Sequence, residues 1–201
     1  MIFEQLFDQK SSTYTYIIAS GEGREALIID PVIEHSDEYS TILKNLDLKL
    51  VKVIDTHIHA DHISALNELN KRTNCIRVMG EKSKSEVIDL RIKDGEKINV
   101  EEVELQAIYT PGHTDCSYSF LMNDRVFTGD TLLINGSGRT DFQNGNAYDA
   151  YDSIFNKLLK LPEKTFVFPA HDYNGKKFST IENEKNNNCL LYTSPSPRDI
   201  R

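Results

Sequence analysis

"DTHIHADH", residues 55–62, sets three of the chain's six histidines and two of its aspartates into one short stretch. Packing gives no reason for such crowding. Imidazoles at i, i+2 and i+5 repel when protonated and gain nothing from one another when neutral. A bound cation reverses the balance, because neutral imidazole and carboxylate are metal ligands. The stretch continues directly from "LKLVKVI" (48–54), which reads as a strand. The cluster is therefore expected in a loop that leaves a sheet.

Working outward, the other polar candidates share that placement. His57, His59, Asp61 and His62 follow the strand at 48–54, and His113 follows a strand at 103–109. Asp130 follows one at 125–128, and His171 follows one at 165–168. Loops carried by a rigid sheet can bring such residues together. Taken singly, a histidine after a strand is usually a hydrogen-bonded loop residue, and an Asp before Thr, as in "GDT", is usually a turn. The crowding in "HIHADH" lifts the set above those readings. His35 stands outside it and reads as a surface residue with no role.

The remaining pattern is a mixed α/β one. "TYTYIIAS" and "EALIIDP", joined by "GEG", predict a hairpin. "SDEYSTILKNL" has Tyr39, Ile42, Leu43 and Leu46 at helical spacing, with Ser36 expected as its N-cap. "SALNELNKR" reads as helix and "CIRVMG" as a short buried strand. "EKINV" pairs with "VELQAIYT", and "SYSFLM" pairs with "RVFTGD" across the turn dipeptide Asn123-Asp124. "AYDAYDSIFNKLLKLP" is the clearest helix, with Tyr151, Ile154, Phe155, Leu158 and Leu159 on one face. Its acids Asp149 and Asp152 lie near the N-terminus and its lysines 157 and 160 near the C-terminus, as the helix dipole favours. "TFVFPAHD" closes the series with a strand. This order suits a layered domain rather than a βαβ repeat, and no Gly-rich nucleotide loop appears.

Composition narrows the partners. At 201 residues with 39% hydrophobic and 27% charged residues, the chain can bury a substantial core. A net charge of −8 argues against nucleic acid or an anionic membrane surface. No stretch is apolar enough for a membrane helix. The start shows no basic, then apolar, leader pattern. Cys75, Cys116 and Cys189 are far apart and fit neither a zinc knuckle nor a disulfide framework, so a reducing cytoplasm is the expected compartment. Cys116, behind "HTD", has no general base of its own and reads as packing. The last stretch is "CLLYTSPSPRDIR", whose Ser-Pro-Ser-Pro reads as a disordered linker on composition. The preferred reading is another: back-translated in one frame, "CLLYTSPSPRD" fits a transposase adapter used in DNA library preparation. The expected domain is therefore residues 1–188, cut short at its C-terminus, with 189–201 a non-native tail.

"THIHADH", "TPGHT", "TGDTL" and "PAHD", in that order, resemble the metallo-β-lactamase superfamily over nearly the whole chain. The resemblance implies a four-layer αββα sandwich with a metal site at one edge of its two sheets. "GSGRTDFQNG" (136–145) and "PAHDYNG" are similar to the persulfide dioxygenase branch, "GRTDFQ" being the specific part. Many members of that branch carry Cys where this chain has Ser137. What the branch implies is a mononuclear Fe(II) held by His57, His113 and Asp130, with His59, Asp61, His62 and His171 as outer support. Two imidazoles and a carboxylate leave about three positions open for a persulfide, such as glutathione persulfide, and for O2. Spacing alone does not choose three ligands from seven. The alternative is a thioester hydrolase of the glyoxalase II (hydroxyacylglutathione hydrolase) type with two metals, zinc for example. There His57, His59 and His113 hold one metal, Asp61, His62 and His171 the other, and Asp130 bridges them. "GRTDFQ" favours the dioxygenase.

For the substrate, the resemblance points to Arg139 for a glutathione carboxylate and Tyr173 as a second contact. An ion pair between Arg139 and Asp141 is the competing reading. Lys176 and Lys177 read as solvated. The oligomeric state stays open, a homodimer included.

Overall fold

The strand Thr13–Ala19 shows why two sheets must form. Tyr14, Tyr16 and Ile18 alternate with Ile17 and Ala19, yet every residue of the strand is buried. A strand hidden on both faces has to be covered on both sides. The neighbouring strand Glu25–Ile29 repeats the pattern, with Leu27 and Ile29 on one side and Ala26 and Ile28 on the other.

The structure, a computed structural model, describes residues 1–188. The reading of 189–201 as a non-native tail, Cys189 included, lies outside the described residues. The first sheet is β1 (Ile2–Asp8), β2 (Thr13–Ala19), β3 (Glu25–Ile29), β4 (Lys49–Ile54), β5 (Ile76–Gly80) and β6 (Leu90–Ile92), side by side in that order. Its first pairs are antiparallel, and β3 to β6 run parallel. The second sheet is β7 (Lys97–Val100), β8 (Val103–Tyr109), β9 (Tyr118–Met122), β10 (Arg125–Gly129), β11 (Phe166–Pro169) and β12 (Ser179–Thr180), also in chain order. Only β10 and β11 pair in parallel there.

Between the sheets lies one core, in which Tyr16, Ile18, Leu27 and Ile54 meet Leu105, Phe120, Phe127 and Phe168. Helices α1 (Ser36–Asn45) and α2 (Leu66–Thr73) cover the outer face of the first sheet through Tyr39, Leu43, Leu66 and Leu69. Helices α3 (Ala147–Asp152) and α4 (Ile181–Asn187), with the turns after α3, cover the second through Ile154, Leu158, Leu159 and Ile181. The layers are therefore α, β, β, α, as expected. Among the described residues no helix is long and apolar enough to cross a membrane.

Several expectations change in detail. Ser36 does not cap α1. A 3₁₀ turn over Ile33–His35 runs straight into the helix, so Ser36 already lies inside it and its hydroxyl bonds back to the Ile33 carbonyl. His35 has a role after all: it bridges Asp8 at 2.9 Å and Glu38 at 2.8 Å, tying the end of β1 to α1. The long helix after residue 146 loosens into a π turn at Ser153–Lys157 and a 3₁₀ turn at Leu158–Lys160. Asn146 caps its start by accepting from the amides of Tyr148 and Asp149. Cys75 and Cys116 are buried, and among the described residues neither forms a disulfide.

One edge of the sandwich is stitched shut across the two sheets. The Tyr14 amide donates to the Ala170 carbonyl at 2.7 Å, and the Tyr118 amide to the Thr56 carbonyl at 2.9 Å. The Tyr16 hydroxyl donates to the Pro169 carbonyl at 2.6 Å. The ends of β4, β8, β10 and β11 carry the candidate ligands to this same edge.

Candidate metal centre

The hydrogen bonds of the histidines decide which nitrogen of each ring is free. A carbonyl only accepts, so His113 Nδ1, 2.8 Å from the Arg139 carbonyl, carries its proton, and Nε2 keeps the lone pair. His171 Nδ1 likewise donates to the Ser12 carbonyl at 3.1 Å. The Thr56 hydroxyl donates to Asp30 Oδ2 at 2.9 Å, so it accepts from His57 Nδ1 at 2.9 Å and frees His57 Nε2. His59 is turned the other way: Nε2 donates to Asp30 Oδ1 at 3.2 Å, leaving Nδ1 free. His62 donates through Nδ1 to Asp61 Oδ2 at 2.8 Å. Each of the five rings is thus held by one nitrogen and presents the other, the arrangement that metal-ligating histidines need.

Those free atoms converge. His57, His113 and Asp130 offer three ligand atoms within 4.8 Å of one another, and His59, Asp61 and His62 form a second such group. His113 Nε2 is 3.5 Å from Asp130 Oδ2, and His171 Nε2 is 3.5 Å from Asp130 Oδ1 and 3.6 Å from Asp61 Oδ2. The structure therefore brings together all seven sequence candidates. It adds a third group, Asp30, Asp55 and His59, in which Asp30 is already engaged with Thr56 and His59.

The residues fit a cation. Asp130 Oδ1, His59 Nδ1 and His62 Nε2 are buried with no hydrogen-bond partner among the described residues. Such atoms cost free energy unless something satisfies them. Burial raises the Asp130 carboxyl above its ordinary value, against the pull of His171 and His113. His57 is driven well below the ordinary histidine range, first by burial and then by the neighbouring imidazoles. It is therefore neutral and ready to donate a lone pair. Burial alone would lower His59 too, but Asp30 outweighs it and lifts the ring to about 9, so without a cation Nδ1 keeps a proton that a bound metal would displace.

The two groups differ in what their carboxylates already do. Asp130 Oδ1 faces the cluster with no donor on it. Asp61 Oδ2 accepts from His62 Nδ1 and from the Thr13 hydroxyl at 3.1 Å. Asp61 is thus drawn into a local hydrogen-bond group, while Asp130 is left open.

The centre opens into a cavity of about 420 Å³ lined by His113, Asp130, His171, Ser137, Arg139 and Tyr173, among others. Arg139 pairs with Asp141 through two bonds of 2.8 and 3.0 Å, so both readings of this residue meet in one place. Tyr173 stacks on His171 with ring planes 6° apart and is mostly exposed. The backbones of Lys176 and Lys177 are used structurally, accepting from Tyr14 and Gln5.

The sequence reading missed Asp30 and Thr56, which orient His57 and His59. Asp30 did carry a signal, since it directly follows the strand "EALII" as the other candidates follow theirs. The Ser12 and Arg139 carbonyls carried none, because any residue type supplies a carbonyl.

The metallo-β-lactamase superfamily family model matches residues 9–89 and 80–171. Persulfide dioxygenase ETHE1, mitochondrial, of Mus musculus is 41% identical over 96% of this chain and 77% of its own length. The crystal structure of ETHE1 from Myxococcus xanthus superposes with a TM-score of 0.92 at 47% identity, covering 94% of this chain and 84% of that one. Hydroxyacylglutathione hydrolase of Dictyostelium discoideum is 29% identical over 88% of this chain and 69% of its own length. The chain belongs to the metallo-β-lactamase superfamily and, within it, to the persulfide dioxygenase branch.

Proposed function

We propose that this protein is an iron-dependent persulfide dioxygenase, oxidising a low-molecular-weight persulfide such as glutathione persulfide. One persulfide, one O2 and one water give the free thiol, sulfite and two protons. The observation that carries this reading is the group of His57, His113 and Asp130: two imidazoles held through Nδ1, with Nε2 left for the cluster, and an open carboxylate. That donor set suits a non-heme Fe(II) with free positions for substrate and O2. The 41% identity to a persulfide dioxygenase, against 29% to a hydroxyacylglutathione hydrolase, supports it.

When bound, Fe(II) supplies the redox chemistry that activates O2 beside the persulfide sulfur. The protein supplies position. Arg139, paired with Asp141, presents a cation at the cavity wall for a substrate carboxylate, and Tyr173 offers a flat face beside His171. Asp61, His62 and His59 support the cluster from the first sheet, and His171 closes it from the second. A reducing compartment, cytoplasmic in this proposal, suits the two buried free thiols. The mouse relative is named mitochondrial.

A direct comparison of two substrates tests the reading. With glutathione persulfide, O2 uptake and sulfite formation are expected to proceed together, with slow or no hydrolysis of a glutathione thioester. Thioester cleavage without O2 uptake on persulfide would assign the chain to the hydrolases.

A further inference from the structure

Glu184, on α4, is fully buried, and among the described residues its four hydrogen-bond partners are all neutral. Its Oε1 accepts from the Ser179 hydroxyl at 2.5 Å and from Asn183 Nδ2 at 3.3 Å, both on its own side of the fold. Its Oε2 accepts from the Asn135 amide at 2.9 Å and from Asn188 Nδ2 at 2.8 Å. A buried acid with no counter-charge is a costly way to fill a core. Its use lies in what the second oxygen holds.

Asn135 belongs to the loop that leaves Asp130. It sits in the left-handed region at φ 57°, and Leu133 and Gly136 close the turn around it with reciprocal backbone bonds. Asn188 clamps the same turn by donating to the Gly136 carbonyl at 3.0 Å. Just beyond, the Gly138 amide returns to the Asp130 carbonyl at 2.8 Å, and the Arg139 carbonyl receives His113 Nδ1. The loop has no slack there: a Cβ on Gly138 would lie 2.2 Å from the Asp130 carbonyl oxygen and 2.9 Å from His113 Nδ1. It begins at one candidate ligand and ends at the carbonyl that orients another, with its middle tied to α4.

We propose that Glu184 is a positioning residue for the metal centre, holding the 133–139 loop so that the Arg139 carbonyl fixes the orientation and tautomer of His113. This rests on the reading of His113 as a metal ligand.

The test uses the full chain with ¹⁵N-labelled histidine, metal-free and zinc-loaded, and records long-range ¹H–¹⁵N spectra. In the unsubstituted protein His113 is expected as the Nδ1–H tautomer. Glu184→Leu fills much the same volume and removes both acceptor oxygens, so the Asn135 amide and Asn188 Nδ2 lose that partner. It is expected to mix or reverse that tautomer and to speed loss of zinc to a chelator by about tenfold. Asn188→Ala, which removes the clamp on Gly136, is expected to act in the same direction and serves if Glu184→Leu does not fold. Ser179→Ala removes a bond on the far oxygen, so it lowers the melting temperature while His113 stays as it was. The proposal is overturned if the folded Glu184→Leu or Asn188→Ala variant loses stability with the His113 signals and zinc retention unchanged. If the unsubstituted chain binds no zinc, the reading of His113 as a ligand fails by itself, and the tautomer comparison still decides the role of Glu184.

Discussion

A carboxylate oxygen buried without a donor costs free energy that only a cation or a proton returns, and Asp130 Oδ1 is in that position. Asp130→Asn is therefore expected to leave the metal-free chain as stable as before, or slightly more so, while its melting temperature no longer rises on adding Fe(II) or Zn(II). Calorimetry with and without metal checks this, and an undiminished rise would mean that Asp130 is no ligand. Thr56→Val keeps the side chain's shape but strands Asp30 Oδ2 and His57 Nδ1. Metal affinity is expected to fall by about 10–100-fold, read by competition with a chelator. At this scale the sequence was legible where residue type carries the chemistry, as in the five histidines, Asp61 and Asp130. It was silent where a main-chain oxygen does the orienting.

Among the elements, the tie between β1 and α1 has a pH signature. The Asp8 bond raises His35 above the ordinary 6.5, against burial, with Glu38 adding to the rise. Burial would raise Asp8, but bonds from Ser11 and His35 outweigh it and bring the carboxyl from 3.8 to about 2. The histidine's share is complete below pH 6.5 and is lost as pH climbs through its raised value. The aspartate's share is complete above pH 3.8 and is lost as pH falls towards 2. The tie is therefore strongest between those limits. His35→Ala is expected to lower the melting temperature most near pH 5–6 and less above pH 8, by an amount worth about 1 kcal/mol or less for a partly exposed pair. Legibility at this scale followed length and period. Helix α1 and the paired strands β7–β8 and β9–β10 repeat their apolar positions often enough to be read. Strands β6 and β12 have three and two residues, too few for any period. Helix α4 buries only Ile181 and Glu184, so its polar sequence hid both the helix and its buried acid.

For the whole molecule, two sheets whose central strands are buried on both faces need helices on both outer faces, and their shared edge is where the loops must meet. That much follows from the order of strands and the crowding at 55–62. The net charge of −8 makes the cavity an unusual place for an anionic substrate. Among the described residues Arg139 is the arginine or lysine in its lining, and Asp141 holds it there. Under the proposed function the open carboxylate of Asp130, with His57 and His113, holds a single iron while Asp61 stays engaged with His62 and Thr13. The decisive measurement is metal content on protein purified anaerobically. Near one iron per chain is expected, lost in Asp130→Asn and retained in Asp61→Asn. Near two metals per chain, with the second lost in Asp61→Asn, would overturn the proposal and point to the dinuclear hydrolase.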